Sequence, residues 1–296
     1  MFGVTQKHLH KVDLSGNIIN IDETPGHHGA NFSSSFAYSI HNYSNANTPP
    51  VYTLRDRKGR TLRTIADNAE LVSTLSEYNY SRKKFFTFTN DAGIELNAWM
   101  IPPHNIEPNK KYPVYVAIYG GPGVNTVQDS WGGSGLMWHQ FLAQEGYMVF
   151  SVDQRGTPGR GVEFEHSTYK RLGKFETEDF IDLAEYLGSN EYVDKDRIGI
   201  QGWSYGGFMT LLSMTKGAHV YSAGISVAPV TNWRYYDTIY TERFMQTPQE
   251  NPSGYDDNSP VNHAEKLEGE LLLISGTGDD NVHHQNSLEM INALVA

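Results

Sequence analysis

The sequence predicts an α/β protein with a mostly parallel sheet, occupying the chain from about residue 85 onward and preceded by short antiparallel strands. Three observations predict it. Gly202-Trp203-Ser204-Tyr205-Gly206 reads G-x-S-x-G, with a short apolar strand in front (Arg197-Ile198-Gly199-Ile200-Gln201) and a helix-compatible run behind (Phe208 to Met214). From Phe85, strand-like and helix-like segments alternate, the pattern of a sheet covered on both faces. Before Phe85 the segments are short, alternate apolar with polar residues and are joined by turns instead of helices.

In the first part, His10-Lys11-Val12-Asp13-Leu14 and Ile18-Ile19-Asn20-Ile21 flank Ser15-Gly16-Asn17, which reads as a hairpin turn. Ser35 to Ile40, Val51 to Leu54 and Thr61 to Ile65 follow, the last two separated by the turn Arg57-Lys58-Gly59-Arg60. Strands in groups of about four have the size of a propeller blade. One blade closes no ring, so residues 1–84 read as a small appendage or as the tail of a propeller whose other blades lie outside the chain. Residues 85–296 hold the rest: a hairpin at Phe85–Ile101, a buried strand at Tyr112–Tyr119, a helix at Leu136–Glu145 closed by Gly146, and a strand at Tyr147–Val152. Phe175 to Leu187 opens with acids that suit a helix N-terminus and sets Phe180, Leu183, Ala184 and Leu187 on one face. After the strand and helix around Ser204 come strands at Ala223–Val227 and Leu271–Ser275, then a helix from about Gln285 with Leu288, Ile291 and Leu294 at core spacing. The chain is expected to end before the last strand and covering helix of such a domain.

Composition narrows the function. The chain has 296 residues, 39% of them hydrophobic and 12% aromatic, enough for a packed core. A net charge of −11 without any extended Lys/Arg run argues against nucleic acid or an anionic membrane as partner and leaves small molecules and peptides. With no cysteine there are no disulfides, thiolate zinc sites or cysteine nucleophiles. No apolar run reaches the length of a transmembrane segment, and the first twenty residues lack a signal-type apolar core.

A serine hydroxyl is a weak nucleophile at neutral pH and needs a base, usually a histidine oriented by a carboxylate. On a sharp strand-to-helix turn Ser204 is held out at the top of the sheet, and a Cβ at Gly202 or Gly206 would collide with the neighbouring strand or helix. Asp279, in Gly276-Thr277-Gly278-Asp279-Asp280-Asn281 after the last strand, is the acid candidate. Asp279 or Asp280 reads equally as a cap of the following helix. Of twelve histidines only His283 and His284 follow Asp279, on the same loop, where neither suits the bridge to Ser204. Oxyanion donors would be the Tyr205 N–H and a group from Tyr119-Gly120-Gly121-Pro122-Gly123, in which Tyr119 alternatively reads as a core aromatic.

The chain resembles the dipeptidyl peptidase IV branch of the prolyl oligopeptidase family of serine peptidases. The resemblance covers nearly all of it and is strongest from Tyr112 to Ser287, in Tyr119–Gly123, Val152-Asp153-Gln154-Arg155-Gly156-Thr157, Gly202–Gly207, Ala228-Pro229-Val230, Tyr235–Arg243 and Asp279-Asp280-Asn281-Val282-His283. It implies an α/β-hydrolase fold, truncated at its C-terminus and preceded by the end of a β-propeller. It further implies a serine exopeptidase that releases N-terminal dipeptides with proline or alanine in the second position, through an acyl-enzyme and without metal or organic cofactor. Ser204 is similar to the family's nucleophile, Asp279 to the triad acid, and Tyr119 to the tyrosine that joins the Tyr205 N–H in the oxyanion hole. Tyr205, Val230, Trp233, Tyr236, Tyr240 and Val282 match the apolar proline pocket, and Asn281 the residue that bonds the substrate backbone. The triad histidine, and the propeller glutamates and arginine that hold the substrate's amino terminus, have no counterpart here, so this chain alone is expected to be inactive. A full-length homodimer with a peptide substrate, in the periplasm or outside the cell, is the family's expectation. Tripeptidyl or acylaminoacyl peptidases of the same family, and a non-catalytic partner-binding relative, are the alternatives.

Overall fold

The computed structural model describes residues 3–296, which divide into two compact units. The first comprises Met1–Lys83, described from residue 3, together with Gln128–Glu145. Strands β1 (His10–Val12) and β2 (Ile18–Asn20) form an antiparallel ribbon. Its turn is tied by Asp13, whose Oδ1 accepts the N–H groups of Ser15 and Asn17 at 2.8 and 2.9 Å, as short carboxylates do in turns. Four further strands, β3 (His27–Phe32), β4 (Tyr38–Asn45), β5 (Thr48–Asp56) and β6 (Thr61–Ala66), make an antiparallel sheet in chain order. Strand β3 has no counterpart in the sequence reading, because its first five residues carry no large apolar side chain. Helix α1 (Ala69–Ser76) follows.

Helix α2 (Gly133–Gln144) groups with this first unit, although it lies beyond the residue-84 boundary read from the sequence. Its buried Gln140 explains the attachment: Oε1 accepts the Ser81 N–H at 2.8 Å while Nε2 donates to the Ser81 carbonyl at 2.7 Å. A side-chain amide thus stands in for a backbone partner, which hydropathy does not reveal.

The second unit is built on a seven-stranded sheet: β7 (Lys84–Thr89), β8 (Glu95–Ile101), β9 (Tyr112–Ile118), β10 (Met148–Asp153), β11 (Val193–Trp203), β12 (Ala223–Val227) and β13 (Glu270–Ile274). The spatial order is β13-β12-β11-β9-β10-β8-β7; β9 to β13 pair in parallel, while β8 and β7 are antiparallel. Helices α3 (Val162–Glu165), α4 (Lys174–Gly188), α5 (Tyr205–Lys216), α6 (Thr238–Met245), α7 (Pro252–Asp256) and α8 (Gln285–Val295) complete it. Helix α4 buries the predicted Phe180, Leu183, Ala184 and Leu187, and α5 is buried from Tyr205 to Thr215. Full burial of an eleven-residue stretch makes the helix behind Ser204 the centre of the core.

Helix α8 keeps only Leu294 of its predicted face against the core. Met290 is fully buried against Leu211 and Ala264, whereas Leu288 and Ile291 are 48% and 43% exposed. Buried Asn286 and Ser287 set that rotation, because the Asn286 side chain and carbonyl are both bonded by Thr231. Among the described residues no helix is long and apolar enough to cross a membrane.

Candidate active site

Strand β11 runs straight into α5, and Ser204 stands at the junction with φ 60° and ψ −116°. A non-glycine residue there is strained by about 1–3 kcal/mol, which surrounding contacts must offset. They are present: the Ser204 N–H donates to the Val227 carbonyl at 2.8 Å, and its carbonyl accepts the Phe208 N–H at 3.0 Å. The glycines behave as close packing demands. A Cβ on Gly202 would overlap the Gly206 backbone, one on Gly206 would lie 2.7 Å from the Ile118 carbonyl oxygen, and one on Gly207 the same distance from that of Val227.

The two neighbouring parallel strands end beside this turn. The Ala228 N–H donates to the Ile274 carbonyl at 2.7 Å, linking the ends of β12 and β13 as Ser204 links β11 to β12. Asp279 lies on the loop after β13. Its Oδ1 accepts the N–H groups of Asn281 and Val282, both at 3.0 Å, so the side chain shapes its own loop. Neither Asp279 nor Asp280 caps α8, which starts from His284 without a side-chain cap. His283 is exposed, and His284 uses Nδ1 for a 2.9 Å hydrogen bond with Ser275 Oγ. Among the described residues no histidine is hydrogen-bonded to Ser204 or Asp279; His219 engages Glu185 and His263 the Asp257 carbonyl.

Beside Ser204 the predicted aromatic residues converge. The Tyr205 ring lies 5.4 Å from that of Trp233, which stacks on Tyr240 at 5.9 Å and meets Tyr236 edge-on at 5.9 Å, while Tyr236 and Tyr240 meet edge-on at 5.5 Å. These are favourable aromatic geometries, and together they give a rigid apolar surface. Val230 and Val282 are buried in the same cluster, and Tyr236 Oη donates to Asn281 Oδ1 at 2.8 Å. Asn286 ties the start of α8 to the segment that carries Val230: its Oδ1 accepts the Thr231 N–H at 2.9 Å and its carbonyl accepts Thr231 Oγ1 at 2.8 Å, both residues fully buried.

Tyr119 is half-buried, with its ring 6.1 Å from that of Tyr205, and desolvation raises its phenol pKa. A phenol so shifted remains a hydrogen-bond donor. Its loop is anchored twice from β10 and the segment after it: Gln154 Nε2 donates to the Gly120 carbonyl at 2.8 Å, and Asp153 accepts from Asn125, Thr126 and Val127. Arg155 in turn clamps α4, donating from its backbone N–H and guanidinium to the fully buried Asp179. Gly120, at φ +81°, could not carry a side chain, whose Cβ would sit 2.9 Å from Met209 Cγ.

Sequence reasoning missed Glu176. By sequence it is only an acid suited to a helix start, yet it is fully buried and accepts the Tyr205 hydroxyl at 2.7 Å and the Gly173 N–H at 3.1 Å. Burial raises its pKa to about 7, against the lowering from these hydrogen bonds. A carboxyl protonated more easily in the folded state stabilises the fold fully below its unfolded value, and that contribution is lost as pH rises to about 7. Stability is therefore expected to fall by up to about 3 kcal/mol between pH 4.5 and 7 on account of this group. Glu176→Gln should flatten that part of the profile in urea melts at a series of pH values; an unchanged slope would remove Glu176 as its source.

The sheet order and the strand–serine–helix turn define an α/β-hydrolase, and the solved structures agree. Porphyromonas gingivalis dipeptidyl peptidase 4 superposes with a TM-score of 0.94 and 42% identity over 98% of this chain and 41% of that one. The prolyl oligopeptidase family model matches residues 136–296, and the chain belongs to that family. Among curated relatives, dipeptidyl peptidase 4 of Trichophyton equinum is 37% identical over 98% of this chain and 38% of its own length. A probable dipeptidyl-aminopeptidase B of Aspergillus terreus is 38% identical over 98% and 32%. The chain thus spans about two fifths or less of the length of these relatives.

Proposed function

We propose that Ser204 is the nucleophile of a serine peptidase that releases N-terminal dipeptides with proline, or alanine, in the second position. The observation that carries this reading is the aromatic surface of Tyr205, Trp233, Tyr236 and Tyr240, built directly onto the turn that holds Ser204. A flat, rigid ring without an N–H is well matched by aromatic faces. Ser204 Oγ attacks the proline's own carbonyl carbon, its proton passes to a base and then to the leaving amine, and the C–N bond to the next residue breaks to give an ester on Ser204. Water then attacks the ester, releasing the dipeptide acid and restoring the hydroxyl. The Tyr205 N–H and the Tyr119 hydroxyl are the donors proposed for the oxyanion. Asp279 is the acid proposed to orient the base, Asn281 a group that bonds the substrate backbone, and Val230 and Val282 the aliphatic walls of the pocket. The names of the relatives support the dipeptidyl part of the reading.

Tyr240→Ala tests the pocket. In the full-length protein it should lower kcat/KM for a proline substrate by about 5- to 150-fold, the effect of losing roughly 1–3 kcal/mol of contact. The loss should be smaller for alanine in the same position, which never filled the ring site. Equal losses for both substrates would make Tyr240 a structural residue and sink the proline assignment.

A further inference from the structure

We propose that Asp22, His28 and His41, in the first unit, form a binding site for a divalent transition-metal ion of the zinc type. Asp22 leads into β3, His28 lies on β3 and His41 on β4. His28 is paired with Tyr43 and His41 with Ala30, so the two imidazoles lie on one face of the sheet at diagonal positions. All three side chains are buried, with exposures of 6%, 4% and 2%.

The distances among their tips are those of a coordination sphere. His28 Nδ1 is 3.4 Å from Asp22 Oδ1, His41 Nε2 is 3.2 Å from the same oxygen, and the two ring nitrogens are 3.1 Å apart. Four ligands placed tetrahedrally at about 2.0 Å from zinc have neighbours about 3.3 Å apart. His28 is also in the ligating tautomer. Its Nε2 lies 2.7 Å from the Thr24 carbonyl, which can only accept, so the proton of the neutral ring is on Nε2 and a lone pair is on Nδ1. A ligand histidine whose other nitrogen donates to a backbone carbonyl is the usual outer-sphere arrangement at metal sites.

Hydrogen bonding alone leaves the cluster short of donors. With His28 Nδ1 and the Asp22 carboxylate both acceptors, the two imidazoles bring only one proton between them to the shared space, from His41 Nε2, and one N–H cannot serve both acceptors well. Asp22 Oδ2 is buried without any hydrogen-bond partner. Arg55 Nη1 donates to Asp22 Oδ1 at 3.0 Å and occupies one of that oxygen's lone pairs, leaving Oδ2 unserved. A cation held by His28 Nδ1, His41 Nε2 and Asp22 Oδ1 gives these three facing atoms a common partner, and reaches Oδ2 where the carboxylate binds through both oxygens; two imidazoles with one carboxylate suit zinc. The ion would clip the β3–β4 pair to the segment before it, a structural task independent of the acyl-transfer chemistry proposed at Ser204.

The test uses the purified 296-residue chain, stripped with EDTA and titrated with Zn²⁺ by calorimetry and with Co²⁺ by visible absorption. One equivalent of Zn²⁺ is expected to bind with Kd below about 1 μM and to raise Tm, and Co²⁺ to give the intense bands of a four-coordinate ion. His41→Asn and Asp22→Asn should each weaken Zn²⁺ binding at least tenfold, while exposed His219→Asn leaves it unchanged. Circular dichroism checks the fold of each variant. If neither His41→Asn nor Asp22→Asn folds, the wild-type Co²⁺ spectrum decides, and weak six-coordinate bands or none overturn the proposal. Absence of stoichiometric Zn²⁺ binding, or equal binding by folded His41→Asn and wild type, overturns it as well.

Discussion

Ser204→Ala is expected to abolish labelling by fluorophosphonates and to lower kcat for Gly-Pro and Ala-Pro chromogenic substrates by on the order of 10⁶-fold in the full-length protein. The size follows from the triad acting as a unit: without Oγ there is no acyl-enzyme, and only substrate binding and oxyanion donors remain. Substrate affinity should change little, since Tyr205, Trp233 and Tyr240 are held by packing against one another. The fold should survive, because the turn is held by the Ser204 backbone N–H and carbonyl and by the close packing of Gly202, Gly206 and Gly207. Urea melts of variant and parent should agree within about 0.5 kcal/mol, as for a substitution that removes no buried contact. Comparable fluorophosphonate labelling of the alanine variant would exclude Ser204 as the nucleophile.

The parts of this molecule legible in the sequence are those written in local patterns. The strand and helix around Ser204, the buried face of α4 and the Ala223–Val227 strand follow from apolar periodicity and glycine placement, and the structure has them at those positions. What escaped was set by long-range partners. Helix α2 belongs with the first unit because Gln140 bonds Ser81, fifty-nine residues earlier. The face of α8 is rotated because Asn286 is claimed by Thr231, fifty-five residues away. Glu176 looks like any acid in a first helical turn until the Tyr205 hydroxyl is found on it. The aromatic cluster lies between these cases. Its residues were named only through a family resemblance, since Trp233, Tyr236 and Tyr240 show no periodicity that separates a pocket from a core.

The 296-residue chain by itself is expected to hydrolyse dipeptidyl-Pro substrates no faster than its own Ser204→Ala variant. Ser204 needs a base in contact with its hydroxyl and a carboxylate behind that base. The Asp279 carboxylate is spent in part on its own loop, with Oδ1 held by the N–H groups of Asn281 and Val282, and no described histidine reaches it. His284 is turned onto Ser275, and the exposed His283 makes no hydrogen bond to Asp279 or Ser204. Without a base the hydroxyl stays protonated, and the loss is again on the order of 10⁶-fold in kcat. The proposed oxyanion donors and aromatic pocket do not depend on the base, so the expected deficiency is one of proton transfer. Free imidazole at high concentration should then restore a measurable, Ser204-dependent rate in the parent chain and none in the alanine variant. Substantial Ser204-dependent turnover without imidazole would refute the claim, and its loss in His283→Ala or His284→Ala would identify which of the two serves as base.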